Sequence, residues 1–224
     1  MLALVTSGEG KGGCVVSPMC DLFLVRHGVT DWNETGRLMG RMDIGLNARG
    51  HAEAQALAAE LRDVPVHTLV ASPQRRAQET AEPIARSHDL AIRTDPGLDE
   101  VWVAPQWQGK TWDELRDDVD LQRYGEDPTY TCAAIESAAR VQERTVGVAE
   151  QASAQAGGGT IVLVSHGDPI KLLLAHYLAM DLSAYRCLVI NTASVSVLRF
   201  SPHYGSRLIV LNWKPPGTLG QLLA

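Results

Sequence analysis

Two apolar runs in this chain stop in the same way. Leu22-Phe23-Leu24-Val25 ends on Arg26-His27-Gly28, and Ile161-Val162-Leu163-Val164 ends on Ser165-His166-Gly167, an echo displaced by 139 residues. Four apolar residues without alternation fit strands buried on both faces, and such strands fit a parallel sheet covered by helices. The glycine after each histidine is expected to let the chain turn out of the sheet. Open α/β sheets bind their ligands at the carboxyl ends of strands, so the pattern aims two histidines at one rim.

Between these strands the periodicity changes repeatedly. Residues 31–44 have neither a helical nor a strand period and carry Trp32, Asn33, Arg37 and Arg41, which predicts a loop over the sheet that binds something. Asn47 can cap a helix whose stripe is Ala54, Leu57, Ala58 and Leu61, ending before Pro65. A short strand over 68–71 follows. After Ser72-Pro73 a helix buries Ala77, Ala81, Ile84 and Ala85 and leaves Arg76 near its first turn. Residues 91–94 read as a third strand.

Beyond Leu98-Asp99-Glu100 a patch with Trp102, Pro105 and Trp107 reads as an insertion over the site. Thr111 to Glu114 fits a capping box that starts a short helix, and 117–130 reads as acidic and irregular. A long helix is predicted over 133–154, with Ala138, Val141, Val148 and Ala152 inward and Gly157-Gly158-Gly159 as its stop. After the second histidine strand, Asp168 and Pro169 are read as N-cap and first residue of a helix over 170–180. Strands over 193–200 and 208–213 close the fold before Pro215-Pro216-Gly217. The former is a candidate edge through which a homodimer could pair.

Composition narrows the partner. With 224 residues and 45% hydrophobic content the chain can fill one large α/β domain. Its net charge of −6 argues against a nucleic-acid or anionic-membrane surface and leaves a small molecule as the expected partner. No apolar run approaches the ~18 residues of a membrane helix. Residues 1–20, glycine-rich and without a signal-peptide pattern, read as a loose extension. Cys14, Cys20, Cys132 and Cys187 lack metal-ligand or Cys-x-x-Cys spacing, so reduced thiols in a cytoplasm are expected, with no metal and no cofactor.

A neutral imidazole is a nucleophile, and cations around it keep it neutral while attracting a phosphate. Arg26 adjoins His27, and Arg76 and His166 would arrive from other loops. Two guanidinium groups, the amide of Asn33 and the N–H of Gly167 at a helix start are donors suited to phosphoryl oxygens. Glu100 is the candidate acid for the leaving oxygen, its pKa raised by cover from Trp102 and Trp107, with Asp99 as the alternative. His51, His67, His88, His176 and His203 belong to no such group.

Together these residues resemble the histidine phosphatase superfamily, whose best-known members are the cofactor-dependent phosphoglycerate mutases. Arg26-His27-Gly28 with Thr30, Trp32 and Asn33 resembles its nucleophile and phosphate loop. Ser72-Pro73 with Arg76-Ala77 and Thr80-Ala81 resembles its second-arginine motif, Leu98-x-Glu100 its acid motif, and Ser165-His166-Gly167 its second-histidine motif.

The resemblance implies a three-layer α/β/α sandwich with a mostly parallel central sheet, running over 21–214, with a cap insertion near 101–130 and a tail over 215–224. It implies a phospho-His27 intermediate, Glu100 as proton donor, Arg76 rather than Arg75 as clamp, Arg26 and His166 around the phosphate, Thr30 and Asn33 in the phosphate loop, and no metal. The long basic insert of the mutases is missing between acid motif and second histidine, which favours a phosphatase of small phosphate esters. A mutase-type phosphotransferase is the alternative, and a non-catalytic phosphate-binding protein the third reading.

Overall fold

A computed structural model describes residues 19–216 and Leu219. Its centre is a six-stranded sheet comprising β1 (Cys20–Arg26), β2 (Val66–Ala71), β3 (Ile92–Thr94), β4 (Gly159–Ser165), β5 (Val195–Ser201) and β6 (Gly205–Trp213), in the order β3-β2-β4-β1-β5-β6. The four strands from β3 to β1 run parallel, and β5 and β6 add an antiparallel margin. The echo in the sequence is a register. β1 and β4 pair in parallel from Leu22↔Ile161 to Arg26↔Ser165 at a constant offset, so the two histidines emerge side by side.

Alternation along these strands splits the core into two layers. Phe23, Val25, Val162 and Val164 face α2 (Ala48–Leu61) and α3 (Arg75–His88), packing on Leu57, Leu61, Ala77, Ala81 and Ile84. Leu22, Leu24, Ile161 and Leu163 face α5 (Ala138–Ala156) and α6 (Gly167–Tyr177), packing on Val148, Ala152, Ile170 and Leu173. The result is the expected α/β/α sandwich. A third cluster, with Val101, Val103, Trp107, Leu121 and Tyr124, packs on Val141 and Leu172 and forms the cap; the bridge Val103↔Ile135 extends it past residue 130.

Several expectations need correction. Residues 31–44 contain one helical turn, α1 (Asp31–Glu34), because Thr30 and Asn33 make a reciprocal capping box. The hydrogen bonds of the Thr111 and Glu114 capping box form, but no helix follows; α4 (Val119–Glu126) begins within the supposedly irregular stretch, capped by Asp118. α5 starts at Ala138, where Ser137 supplies the cap. α6 starts at Gly167 with His166 in the N-cap position, so Asp168 lies inside its first turn, and it ends at Tyr177. Strand β5 is interior and β6 is the edge, so the proposed dimer edge at 193–200 is already paired on both sides.

At the termini, Cys20 belongs to β1 rather than to the extension, and Leu219, beyond the prolines, is buried against the α2 and α3 layer. Residues 1–18 of the expected extension, with Cys14, lie outside the described residues. Among the described residues no helix is long and apolar enough to cross a membrane, and Cys20, Cys132 and Cys187 are free thiols.

Candidate active site

The site follows from strand order. β2, β4 and β1 are neighbours, so Ser72, His166 and His27 stand at the carboxyl ends of three successive strands, tied by Ser72 N–H to Val164 O (3.0 Å) and His27 N–H to Ser165 O (3.0 Å). The imidazoles of His27 and His166 have ring centroids 5.1 Å apart. Gly28 is needed for space rather than for a turn: a Cβ there would stand 2.7 Å from the carbonyl oxygen of Gly50, where the loop lies on the start of α2.

Both histidines are fully buried and their tautomers follow from their partners. Nδ1 of His27 is 2.7 Å from the carbonyl oxygen of Gly28, which can only accept, so Nδ1 carries the proton and Nε2 keeps its lone pair. His166 is held the other way round. The Ser72 hydroxyl donates to Asp99 Oδ1 (2.8 Å) and accepts from Nε2 of His166 (2.9 Å), leaving Nδ1 of His166 free to face a ligand.

Burial, and then the charges of Arg76 and Arg26, hold His27 well below the usual histidine range. Burial and Arg76 do the same to His166, with His27 and Arg26 adding to it.

The two arginines are fixed from behind. Arg76, fully buried in the first turn of α3, donates from Nη1 to Met42 O (3.0 Å) and from Nη2 to Gly40 O (2.9 Å), whereas the neighbouring Arg75 is exposed and pairs with Glu79. Burial pulls its pKa down to about 10, so it stays cationic at neutral pH. Arg26 donates from Nη1 to Ile190 O (2.6 Å) and its guanidinium lies over Gly167, 3.5 Å from where a Cβ would be.

Nε of Arg26, Nε of Arg76, Nε2 of His27 and Nδ1 of His166 are all buried without a hydrogen-bond partner among the described residues. Two of these atoms are arginine donors and two are imidazole lone pairs in the neutral rings. An unmet buried polar group costs about 1–3 kcal/mol, so the four together, beside two guanidinium cations, describe a place prepared for an anion.

Beside them opens a cleft of about 240 Å³ bordered by Arg26, Asn33, Glu100, Gly167, Asp168 and Lys171. Burial, and then Asp168, push the Glu100 carboxyl up, against the opposing hydrogen bond from Val101 N–H and the charges of Arg76 and Arg26. Asp99 is turned away toward Ser72, so the two neighbouring carboxyls face different surroundings.

Of the two tryptophans expected to cover the acid, Trp107 borders the cleft and donates to Asp118 Oδ2 (2.8 Å), whereas Trp102 faces a separate groove of about 920 Å³ with Arg41 and Glu136. Thr30 is buried as the cap of α1, and its hydroxyl and N–H both donate to Asn33 Oδ1, so it orients Asn33 and leaves the Asn33 amide nitrogen uncommitted among the described residues. The N–H of Gly167 opens α6 at the cleft.

Sequence reading passed over Ser72 as a partner of His166, and Asp168 as more than a cap. The Ser72 signal was its place after β2; Asp168 gave none, because a carboxylate near a helix start is ordinary.

The chain is similar to proteins of one family. A profile of the histidine phosphatase superfamily (branch 1) matches residues 22–214. Phosphoserine phosphatase 1 of Hydrogenobacter thermophilus is 31% identical over 183 residues, covering 80% of this chain and 86% of that protein. Glucosyl-3-phosphoglycerate phosphatase of Mycobacterium tuberculosis is 30% identical over 205 residues, covering 86% and 91%. The structure of a phosphoserine phosphatase from Entamoeba histolytica in complex with 3-phosphoglyceric acid superimposes with a TM-score of 0.78 at 28% identity, over 88% of this chain and 98% of that one.

Proposed function

We propose that this chain, which belongs to the histidine phosphatase superfamily and is a small-molecule phosphomonoester hydrolase, works by transferring the phosphoryl group to Nε2 of His27. The observation that carries this reading is the set of four buried atoms without a partner among the described residues: the Nε2 lone pair of His27, the Nε donors of Arg26 and Arg76, and Nδ1 of His166, which becomes a donor on taking up a proton. The phosphoryl oxygens take hydrogen bonds from Arg26, Arg76 and His166, whose Nδ1 takes up a proton as the anion arrives, with the amide of Asn33 and the N–H of Gly167 as further donors. The Nε2 lone pair forms the N–P bond as the bond from phosphorus to the ester oxygen breaks. Glu100, whose carboxyl burial and Asp168 push up from its ordinary value, gives its proton to the leaving alcohol. Its carboxylate then takes a proton from water as the water oxygen displaces Nε2, releasing inorganic phosphate. The charge this sequence needs comes from side chains, so it calls for neither a metal nor a cofactor.

The substrates in view are small phosphomonoesters such as phosphoserine and phosphoglycerate derivatives, on which relatives act by name. Arg37 and Lys171 border the cleft, paired with Glu114 and Asp168, and an acidic group beyond the phosphate would compete with those carboxylates for them. Cys20, Cys132 and Cys187, free thiols among the described residues, support a reducing, cytoplasmic setting.

The test is a quenched reaction with phosphoserine, 3-phosphoglycerate and an aryl phosphate in EDTA, followed by mass spectrometry and product analysis. An acid-labile phosphate on His27, release of inorganic phosphate and its disappearance in His27→Ala are expected. Turnover by His27→Ala would overturn the intermediate, and net formation of 2-phosphoglycerate without phosphate release would make the chain a mutase.

A further inference from the structure

Among the described residues the Glu100 carboxyl accepts one hydrogen bond, from the N–H of Val101 (2.9 Å), so its place is set by the backbone that carries it. That backbone is held from outside the cleft by Arg144, on α5. All five N–H donors of this guanidinium are committed. Nη1 donates to Gly97 O (2.8 Å) and Asp99 O (2.6 Å), Nη2 to Glu100 O (3.3 Å) and Glu136 Oε2 (3.1 Å), and Nε to Glu136 Oε1 (3.1 Å).

Glu136 in turn accepts from the N–H of Trp102 (3.2 Å) and from Arg41 (3.0 Å), and Arg41 Nε donates to Glu100 O (3.1 Å). Residues 97, 99, 100 and 102 are therefore all anchored to one ion-paired unit whose two main members, Arg144 and Glu136, are largely buried. Arg41 lies between Gly40 and Met42, whose carbonyls hold Arg76. The same loop thus ties the acid to the phosphate clamp.

We propose that Arg144 and Glu136, linked through Arg41 to the Arg76 loop, are positioning residues that aim Glu100 at the leaving oxygen. This rests on the reading of Glu100 as the proton donor. A bidentate, fully committed guanidinium fixes a plane as well as a position, which a lysine with its single ammonium cannot do. Displacing an acid by an ångström or less weakens proton transfer while leaving phosphate binding intact.

The test compares kcat/KM, which reports transfer to His27, for 4-nitrophenyl phosphate, phenyl phosphate and phosphoserine, whose leaving groups need a proton increasingly. Glu100→Gln serves as the reference, and Arg144→Lys and Glu136→Gln are the variants, with melting temperature and affinity for inorganic phosphate measured alongside. Arg144→Lys is expected to lose about 10- to 100-fold on phosphoserine and under about threefold on 4-nitrophenyl phosphate, with phosphate affinity unchanged.

Glu136→Gln is expected to show the same tilt more weakly. An equal loss on all three esters, or none, would overturn the positioning role. A Glu100→Gln protein that shows no dependence on the leaving group would instead remove the acid assignment itself.

Discussion

Ser72 Oγ lies 2.9 Å from Nε2 of His166, and this contact decides which ring nitrogen faces the substrate. Because the hydroxyl proton goes to Asp99, the histidine must donate from Nε2, and an imidazolium formed when phosphate arrives has a carboxylate waiting behind the serine. Ser72→Ala breaks this link and leaves two buried polar groups unsatisfied. It is expected to weaken inorganic phosphate binding about 10-fold or more, since hydrogen bonds to charged groups are worth about 1.5–3 kcal/mol. Titration calorimetry of wild type, Ser72→Ala and Ser72→Thr at one pH checks it, with the threonine hydroxyl restoring most of the affinity.

Arg76→Lys retains charge and loses the fork. One ammonium cannot hold Gly40 O and Met42 O and still present a donor where Nε of Arg76 stands. A fall in kcat/KM of about 100-fold is expected, with a lower melting temperature as the 40–42 loop loses its anchor. Arg75→Lys, on the exposed side of the same helix turn, is expected to change kcat/KM by less than about twofold and to leave the melting temperature where it is.

Stability should depend on pH through the buried histidines. The folded state keeps His27 neutral well below its ordinary value of 6.5, whereas the unfolded chain protonates it near 6.5. Unfolded protein therefore binds more protons below pH 6.5, and stability present above that pH is lost as the pH falls toward the depressed folded value. For one such group the slope approaches about 1.4 kcal/mol per pH unit. The raised pKa of Glu100 acts in the opposite sense, so the comparison must be made against His27→Asn rather than in absolute terms. Urea denaturation of phosphate-free protein between pH 7.5 and 5.5 should show a shallower pH dependence in the variant, and parallel curves would refute the assignment.

Gly50→Ala tests the seating of the nucleophile loop on α2. A Cβ at residue 50 would stand 2.1 Å from the carbonyl oxygen of Val29, and backbone cannot swing aside as a side chain can. A loss of about 1–3 kcal/mol in unfolding free energy is expected, together with a lower kcat/KM because His27 and Gly28 share the displaced segment. Ala48→Gly, in the first turn of α2, supplies the control for a change in helix propensity alone.

Sequence by itself determined the layers and the rim. The unbroken apolar runs at Leu22 and Ile161 required strands covered on both faces. Their repetition at one offset proved to be the register of β1 and β4, so the pairing of His27 with His166 was legible before any coordinates. Local capping was less so: the Thr111 and Glu114 pair formed its hydrogen bonds without a helix, because a capping box satisfies a chain end but cannot supply the apolar face that makes a helix pack.

Only the tertiary structure decided which atoms of the site are spent and which are free. The tautomer of His166, the anchoring of Arg76 by a loop 34 residues away, the turning of Asp99 from Glu100, and the grip of Arg144 on the Glu100 backbone all depend on hydrogen bonds between segments distant in the chain, whereas the tautomer of His27 rests on the carbonyl of the next residue, Gly28. Such bonds are set by where the sheet order and the cap bring those segments. Residue type and spacing name the participants, but direction and burial, which fix charge and proton position, arise only when the layers close.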